Sequence, residues 1–324
     1  MKLTKAVIIL CCLFFLQLDL ADAASTRTLK GVVMTPDGTV VPQFSVIVRH
    51  GTDKPELLQR RLFRNGEFTV DGLAPDKYLV QISAAQFVAV RLVVDFKSVA
   101  RDTEYSVVIL HPYRREARIS ADMAHSVSVK MLQQKIPGAA KDAYEKAVVH
   151  HREGKLDEAL IEYGKALRNY PKYIAALTDL GTIFLLYNRP DSALAFLRRA
   201  EAEDDDDPII QLNIAVALTE QGNYGGALKL LKNVLQREPR LAPAQYLSGR
   251  IHALQKKYDL AEQFLRQALE LDPGMLDAAV LRINISIEQN DYAEARRELQ
   301  RVREAMGNKL LARFIDEQLS SLGG

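Results

Sequence analysis

The chain has 324 residues, and its 43 Lys and Arg against 41 Asp and Glu give a formal net charge of +2 at pH 7. This near balance provides no broad cationic surface, so we expect neither nucleic acid nor an anionic membrane as a partner. Only two cysteines and no tryptophan are present, which leaves little scope for thiol chemistry or for an indole binding platform. The length suggests two domains.

Residues 1–23 have the order of parts found in a secretory signal peptide. Lysines precede an apolar run over residues 6–16, and a small-residue site follows and ends at Ala23. The pattern predicts cleavage after Ala23, the alternative being a buried N-terminal helix. The run is shorter than the about 20 apolar residues that span a bilayer, so we expect no stable membrane insertion after cleavage. Cys11 and Cys12 lie in this run, so the mature chain would carry no thiol for a disulfide, a metal site or a nucleophile.

Residues 28–111 show the two-residue periodicity of β-strands. Short runs such as "FSVIVRH", "YLVQISA" and "EYSVVIL" are rich in β-branched residues and are separated by turn signals. Asn65-Gly66, between "QRRLF" and "EFTV", predicts a β-hairpin, because this dipeptide suits the positive φ angles of a two-residue turn. About six or seven short strands without a helix between them predict a small all-β antiparallel sandwich.

Residues 65–87 resemble the central motif of carboxypeptidase-regulatory-like, or transthyretin-like, β-sandwich domains. The matching positions are Gly66, Phe68, Gly72, Leu73, Pro75, Tyr78 and Phe87. Asp76 and Gln86 stand where that family prefers glycine. The resemblance implies an accessory module without catalytic residues, which serves as a spacer, a docking surface or, in some members, a glycan binder.

The C-terminal half repeats one helical pattern at a fixed step of 34 residues. Alanine recurs at this step, and further small residues keep the same spacing on either side of it. The five alanines are Ala159, Ala193, Ala227, Ala261 and Ala295. Two helices approach closely only where side chains are small. Proline recurs where the second helix of a pair would have to end. It does so in three of the five repeats, at Pro171, Pro239 and Pro273.

A 34-residue helix-turn-helix period is similar to that of the tetratricopeptide repeat. We predict a multidomain chain in which the sandwich and a linker over 112–139 precede an all-α solenoid, closed by a capping helix over 310–322. The five predicted repeats are 140–173, 174–207, 208–241, 242–275 and 276–309, together residues 140–309. The chain departs from the family because the repeats lack tryptophan, Asp205 replaces a proline and Ile283 occupies a small position.

The first helix of each repeat lines the concave side of such a solenoid, and its free face forms one stripe from repeat to repeat. We predict that this stripe binds a protein or peptide partner. The candidate residues are Tyr144, Val148, His151, Thr178, Thr182, Leu212, Val216, Tyr246, Arg250 and Asn284. The lysine-asparagine clamp by which some family members hold a terminal carboxylate is absent from this stripe. The alternative is that these side chains pack against neighbouring helices.

The sequence shows no pattern typical of an active site. Ser/His/Asp arrangements, metal-ligand spacings and glycine-rich phosphate loops are missing, so we expect no catalytic residue, cofactor or metal. His150 and His151 point about 100° apart on a helix and do not chelate one ion. The acidic run "EDDDDP" is explained better by Asp207 as a helix N-cap and Pro208 in the first helical turn than by calcium binding.

These features predict an exported, non-enzymatic scaffold that binds a protein partner, or a second copy of itself, through the solenoid groove. The combination of the two modules behind a signal peptide is similar to that of bacterial envelope proteins, so we expect a periplasmic or secreted protein. The alternative is a glycan- or cell-surface-binding protein that recognises its ligand through the β-sandwich and uses the repeats for oligomerisation.

Overall fold

The computed structural model describes residues 26–52, 54–85, 87, 89–97, 102–110, 128–306, 313–314, 316–317 and 320. The predicted signal peptide, together with most of the predicted linker and capping helix, lies outside the described residues. The chain divides into two compact units. One unit is formed by strands and the other mainly by helices.

Seven β-strands form the N-terminal module within the described ranges. They are β1 (Arg27–Met34), β2 (Gln43–His50), β3 (Glu56–Arg64), β4 (Glu67–Leu73), β5 (Lys77–Ser83), β6 (Val90–Asp95) and β7 (Thr103–Ile109). One sheet has the strand order β4-β1-β7, and the other has the order β3-β2-β5-β6. The pairs β1/β4, β2/β3 and β5/β6 are antiparallel. The predicted all-β antiparallel sandwich is confirmed.

The core of the sandwich consists of side chains that alternate inward along the strands. In β2 and β5 every second residue is buried, as expected when one face of a strand packs on a core. The rings of Phe44, Phe63 and Phe68 meet there, with centroids 5.9 to 6.2 Å apart. Gly31 lies opposite Phe68 on the neighbouring strand. A Cβ at Gly31 would come within 2.2 Å of Cε1 of Phe68, so the ring occupies the space that a side chain would need.

The turn at Asn65-Gly66 forms, but the predicted hairpin is wrong. Both residues have positive φ angles, 66° and 78°, as expected for this dipeptide. The flanking strands β3 and β4, however, lie in different sheets. The Asn65 amide donates to the Pro42 carbonyl, and the Gly66 carbonyl accepts from the Val33 amide. Each side of the turn therefore pairs with a different neighbour, and the turn forms a corner between the two sheets.

The segment that resembles the regulatory-like motif closes a second corner of the sandwich. Gly72 has a φ of 76°, a left-handed conformation that costs glycine little. The Tyr78 hydroxyl donates to the Ala74 carbonyl, 3.1 Å away. Asp76 stands at the family's glycine position without a positive φ, and its carboxylate lies 2.7 Å from Nζ of Lys97 and 3.0 Å from Nε2 of His50. A small charge cluster therefore replaces the glycine at this corner.

We expect Asp76 to make the sandwich sensitive to acid. Hydrogen bonds from Lys97, from the Lys77 amide and from His50 hold the pKa of this carboxyl well below its ordinary value of 3.8, because all three favour the charged form. The folded-state pKa is depressed, so this stabilisation is complete above the unfolded-state value and is lost as the pH falls below it. Asp76→Asn should therefore flatten the dependence of the melting temperature on pH below about pH 4.

Thermal denaturation followed by circular dichroism between about pH 2 and pH 7 measures this effect. Glu56→Gln is the control, because Glu56 is an exposed carboxyl on β3, in the sheet that Asp76 precedes at β5. If both substitutions change the melting temperature at low pH equally, the acid sensitivity does not depend on Asp76.

Eleven helices follow in the described part of the chain. They are α1 (Val129–Gln133), α2 (Gly138–Arg152), α3 (Leu156–Asn169), α4 (Ile174–Leu186), α5 (Pro190–Glu203), α6 (Pro208–Glu220), α7 (Tyr224–Arg237), α8 (Ala242–Leu254), α9 (Tyr258–Leu271), α10 (Leu276–Glu288) and α11 (Tyr292–Met306). From α4 onward the first helices of the pairs begin 34 residues apart, and the second helices keep the same step from α3 onward. The predicted helical solenoid is confirmed.

The recurring small residues lie where helices of the solenoid pack most closely. All five alanines of the 34-residue series are 0% exposed. In two repeats a glycine provides this close approach. A Cβ at Gly181 would lie 2.5 Å from the Leu197 side chain, and one at Gly249 would lie 2.8 Å from the Leu265 side chain. Helices α3, α7 and α9 each end two residues before a proline, because the residue before proline avoids the helical conformation. Helix α5 ends at the equivalent residue although Asp205 replaces the proline.

The short helix α1 lies within the predicted linker and docks on the solenoid. The Ser128 hydroxyl accepts from the Met131 amide at 3.0 Å, which caps α1, and donates to the carboxylate of buried Asp204. The Gln134 side-chain carbonyl accepts from the Ile174 amide at the start of α4. Met131 also packs against the solenoid core. This segment is therefore part of the solenoid unit.

The acidic run before α6 has structural roles. Asp207 caps α6, since its carboxylate accepts from the amides of Ile209 and Ile210 at 2.7 and 3.1 Å, as predicted for an N-cap. Asp205 lies 2.6 Å from Nζ of Lys130 on α1. The carboxylates of this run thus hold a helix start and the docked segment.

Candidate protein-binding groove

The first helices of the repeats form an inner layer of the solenoid. Helix α4 contacts α6, α6 contacts α8, and α8 contacts α10, whereas second helices pack against the first helices before and after them. In a helical-repeat solenoid the inner helices present one extended surface. We take the free faces of α2, α4, α6, α8 and α10 as the candidate concave groove.

The structure places the ten predicted groove residues in three environments. Asn284 is exposed, and six are half-buried, namely Tyr144, Val148, Thr182, Val216, Tyr246 and Arg250. His151, Thr178 and Leu212 are buried, with exposed fractions of 9%, 7% and 7%. These three side chains pack between helices, as the alternative interpretation of the stripe expected. The surface within reach of a partner is therefore narrower than the predicted stripe.

Helix α6, in the middle of the groove, is the most enclosed of the inner helices. Between Ile210 and Thr219 every residue except Val216 is buried, because α4 and α8 contact α6 from its two sides. Ile209, seven residues before Val216 and on the same helical face, is also half-buried. Ile209 and Val216 form the apolar floor of the groove.

The threonine hydroxyls along the groove are used within their own helices. Oγ1 of Thr178 donates to the Ile174 carbonyl at 3.0 Å, and Oγ1 of Thr182 donates to the Thr178 carbonyl at 3.0 Å. Thr219 bonds the Ala215 carbonyl in the same way at 2.7 Å. Bonds to the carbonyl four residues earlier satisfy the hydroxyl donor. None of the three hydroxyls is therefore a free donor to a partner.

A tyrosine cluster surrounds Asp179 at the N-terminal end of the groove. The hydroxyls of Tyr144 and Tyr163 both donate to Oδ2 of Asp179, at 2.9 and 3.1 Å. The rings of Tyr144 and Tyr173 have centroids 4.9 Å apart, and Nδ1 of His151 lies 3.4 Å from the Tyr163 hydroxyl. Burial, reinforced by the Asp179 charge, raises the pKa of Tyr144 and of Tyr163 above the ordinary tyrosine value. Both hydroxyls therefore stay protonated and remain donors to the Asp179 carboxylate.

Tyr246 and Arg250 lie on α8 towards the other end of the groove. Nη2 of Arg250 is 2.9 Å from Oε1 of Glu220, the last residue of α6, and both side chains are about one-third exposed, 36% and 35%. Burial, with the nearby charge of Asp277, raises the pKa of Tyr246. This end therefore combines an aromatic ring with a partly exposed ion pair at the rim.

Sequence reasoning missed Asp179, Tyr173 and Glu220, which complete the two ends of the groove. Asp179 follows Tyr144 by 35 residues, and Glu220 precedes Arg250 by 30. Both separations are close to the 34-residue step, because they join neighbouring first helices. Neither separation equals 34, so the repeat step shows which helices are neighbours but not which side chains meet.

The candidate groove combines aromatic rings, apolar side chains and the Arg250–Glu220 ion pair, a mixture that is common at protein interfaces. Within the described ranges, no group of three or more His, Cys, Asp or Glu residues is placed to hold a metal ion. None of the helices described is both long enough and apolar enough to cross a membrane.

A two-helix unit that recurs every 34 residues and stacks into a solenoid defines the helical-repeat class of proteins. Sequence profiles agree. A profile of the tetratricopeptide repeat matches residues 150–213 and 252–314, and a second profile of this repeat matches residues 212–275. Together they cover just over half of the chain without a gap. The chain belongs to the tetratricopeptide repeat family. No curated protein sequence matches it.

Several solved structures have a similar fold. A tetratricopeptide repeat protein from Parabacteroides merdae is 23% identical, with a TM-score of 0.47, and the match covers 57% of this chain and 73% of that one. MamA from Desulfovibrio magneticus RS-1 is 18% identical, with a TM-score of 0.47 over 52% of this chain and 96% of that one. PilW, a type IV pilus biogenesis factor, is 19% identical, with a TM-score of 0.49, and the match covers 62% of this chain and 90% of that one. At these identities the likeness concerns the fold alone.

Proposed function

We propose that this protein is an exported, non-enzymatic scaffold that binds a protein partner through the concave groove. The observation that carries this proposal is the layer of contacting first helices, which presents an apolar and aromatic surface. Helical-repeat solenoids use such concave surfaces for binding. The signal-peptide pattern of residues 1–23 supports export, to the bacterial periplasm or beyond.

The lining of the groove favours an apolar segment of the partner. Ile209 and Val216 offer an apolar floor. Tyr144 and Tyr246 supply aromatic area on the inner helices to either side of α6, and tyrosine is a common anchor at interfaces. An amphipathic helix laid in the groove would match this pattern. A second copy of this chain would use the same surface.

We propose that the sandwich is an accessory domain of the carboxypeptidase-regulatory-like type. The left-handed Gly72 and the Tyr78 hydroxyl bonded to Ala74 support this identity. The domain would act as a spacer or docking module, and the groove would carry the main binding function.

Ile209→Glu combined with Val216→Glu should weaken partner binding about tenfold or more, because a central apolar contact would be replaced by charges that lose water on binding. Both side chains are half-buried at the groove surface, and glutamate in the first turn of α6 suits the helix dipole. Leu212 is unsuitable, since at 7% exposure its replacement would place a charge in the core. The measurement is capture of partners from an envelope extract, followed by titration of the purified partner, with circular dichroism to show that the variant is folded.

Ile161→Glu is the matched control, because Ile161 is 58% exposed on the second helix α3. A photo-crosslinking amino acid at position 216 should label the same partner, and one at position 161 should not. Partner binding that survives the α6 substitutions, or crosslinks from position 161 alone, would exclude the groove. Dissociation of an oligomer by the α6 substitutions, seen by sedimentation, would identify a second copy as the occupant.

A further inference from the structure

We infer that the free edge of β3 is a second docking surface, which accepts an extended acidic segment of a protein partner as an added strand. Strand β3 (Glu56–Arg64) is the end strand of the four-stranded sheet, where β2 is its neighbour. The outer side of an end strand presents amide and carbonyl groups that can pair with another chain. Peptides that add a strand to a sheet use these groups for affinity and side chains for specificity.

The side chains of β3 leave this edge uncovered. None of its nine residues is buried. Leu57, Leu58 and Leu62 are 65%, 52% and 58% exposed. A single exposed leucine is ordinary on a protein surface, but three on one edge strand form an apolar patch of the kind that marks contact sites.

The charge on β3 indicates what would cover this patch. Arg60, Arg61 and Arg64 are exposed, and none of them forms an ion pair with the residues that the structure describes. Glu56 is the sole acidic residue of the strand. Unpaired arginines beside exposed leucines favour a segment that carries carboxylates and apolar side chains together.

The register of β3 gives the spacing of that segment. Phe63 pairs with Phe44 and stacks on it in the core, so the alternate residues Arg60, Leu62 and Arg64 lie on the other face. A strand added to β3 would place an acidic, an apolar and an acidic residue opposite them, each two positions from the next. This order is the same for a parallel and an antiparallel strand.

A second copy of β3 fits this edge poorly. Pairing two β3 strands would bring two sets of three arginines together with one glutamate each, and like charges across a strand pair are destabilising. An acidic strand would instead bring opposite charges next to these arginines. The charge of the edge therefore favours an acidic partner over a second copy.

The test uses the full chain and a synthetic nine-residue peptide with the core Glu-Thr-Val-Thr-Glu, flanked on each side by two threonines. The peptide should bind and should slow hydrogen exchange of the β3 amides. Arg60→Glu combined with Arg64→Glu should weaken binding about tenfold or more. Arg91→Glu, an exposed arginine on β6 at the opposite edge of the sheet, should leave binding unchanged. Circular dichroism confirms that both variants are folded.

Two further peptides separate strand addition from simple charge attraction. A peptide with the same composition but adjacent glutamates should bind more weakly, because its carboxylates no longer match Arg60 and Arg64. A peptide that is N-methylated at every backbone amide of the core keeps its charge but has no amide donor on either edge, so it should not bind. Equal binding of all three peptides, unchanged binding to the Arg60→Glu/Arg64→Glu variant, or protection of amides outside β3 would overturn the inference. A dimer that this variant dissociates would point to a second copy instead.

Discussion

Arg282→Ala should lower the free energy of unfolding of the last repeats by about 3–5 kcal/mol, because it would leave a carboxylate buried beside an empty cation site. Arg282 lies on α10 with a side chain only 7% exposed. Its Nε is 2.9 Å from both carboxylate oxygens of Glu262 on α9, and its Nη1 is 2.8 Å from Glu298 on α11. Nη2 also lies 3.3 Å from Glu294. The Glu298 side chain is 3% exposed. It would keep only Arg301, whose own side chain is 66% exposed, so most of its charge compensation would be lost.

Hydrogen exchange of α9, α10 and α11 in increasing urea measures this loss, since repeats in a solenoid open partly independently. Arg297→Ala is the matched control. It removes an arginine that is 65% exposed and paired with Glu294, and such surface pairs contribute about 0–1 kcal/mol. Arg282→Met combined with Glu298→Leu should recover most of the stability, because no uncompensated charge then stays buried. If Arg282→Ala and Arg297→Ala lower the free energy of unfolding by similar amounts, the buried cluster contributes no more than a surface ion pair.

Gly31→Ala should destabilise the sandwich by about 3 kcal/mol, since the added methyl group has no space. Its Cβ would lie 2.2 Å from the Phe68 ring and 2.7 Å from the Ser106 carbonyl oxygen. Phe68 is 2% exposed and is held by edge contacts with two other phenylalanine rings, so it cannot swing aside. Strand β1 would have to shift against its neighbours.

Hydrogen exchange of the β1 and β4 amides in the full chain measures the effect in the sandwich alone. Gly164→Ala is the control in the solenoid, where a Cβ meets only Nη1 of Arg168 at 3.6 Å. That change should stabilise α3 by up to about 1 kcal/mol, because alanine favours the helix over glycine. Adding Phe68→Leu to Gly31→Ala should cost less than the sum of the two single changes. If the free-energy changes of the two substitutions simply add, the Phe68 ring does not obstruct the added methyl group.

The helical solenoid could be predicted because its pattern is local and recurs at one step. Small residues where helices cross and prolines after the second helices follow from close packing and from backbone sterics. These requirements act within a few residues and repeat without change from one unit to the next. Ala159 and Ala227, for example, are both fully buried at their crossings.

The candidate groove could be predicted only in outline. The helical period gives the face on which Leu212 and Val216 lie, but it does not give their exposure. Leu212 is 7% exposed and Val216 is half-buried, and the difference arises from how closely α4 and α8 approach α6. Asp179 reaches Tyr144 from the next repeat, and a pairwise contact of this kind leaves no mark in hydrophobic periodicity.

The sequence by itself determined the strand and helix periods, the 34-residue step and local devices such as the Asp207 cap. It also determined the positive φ angles at Asn65-Gly66. Only the tertiary structure decided that this turn joins two sheets, that Arg282 is enclosed by carboxylates from two other helices, and that α1 docks on the solenoid. The physical reason is the separation along the chain over which each interaction acts. Backbone sterics and capping act between neighbours in the chain, whereas pairing, burial and charge compensation depend on residues that only folding brings together.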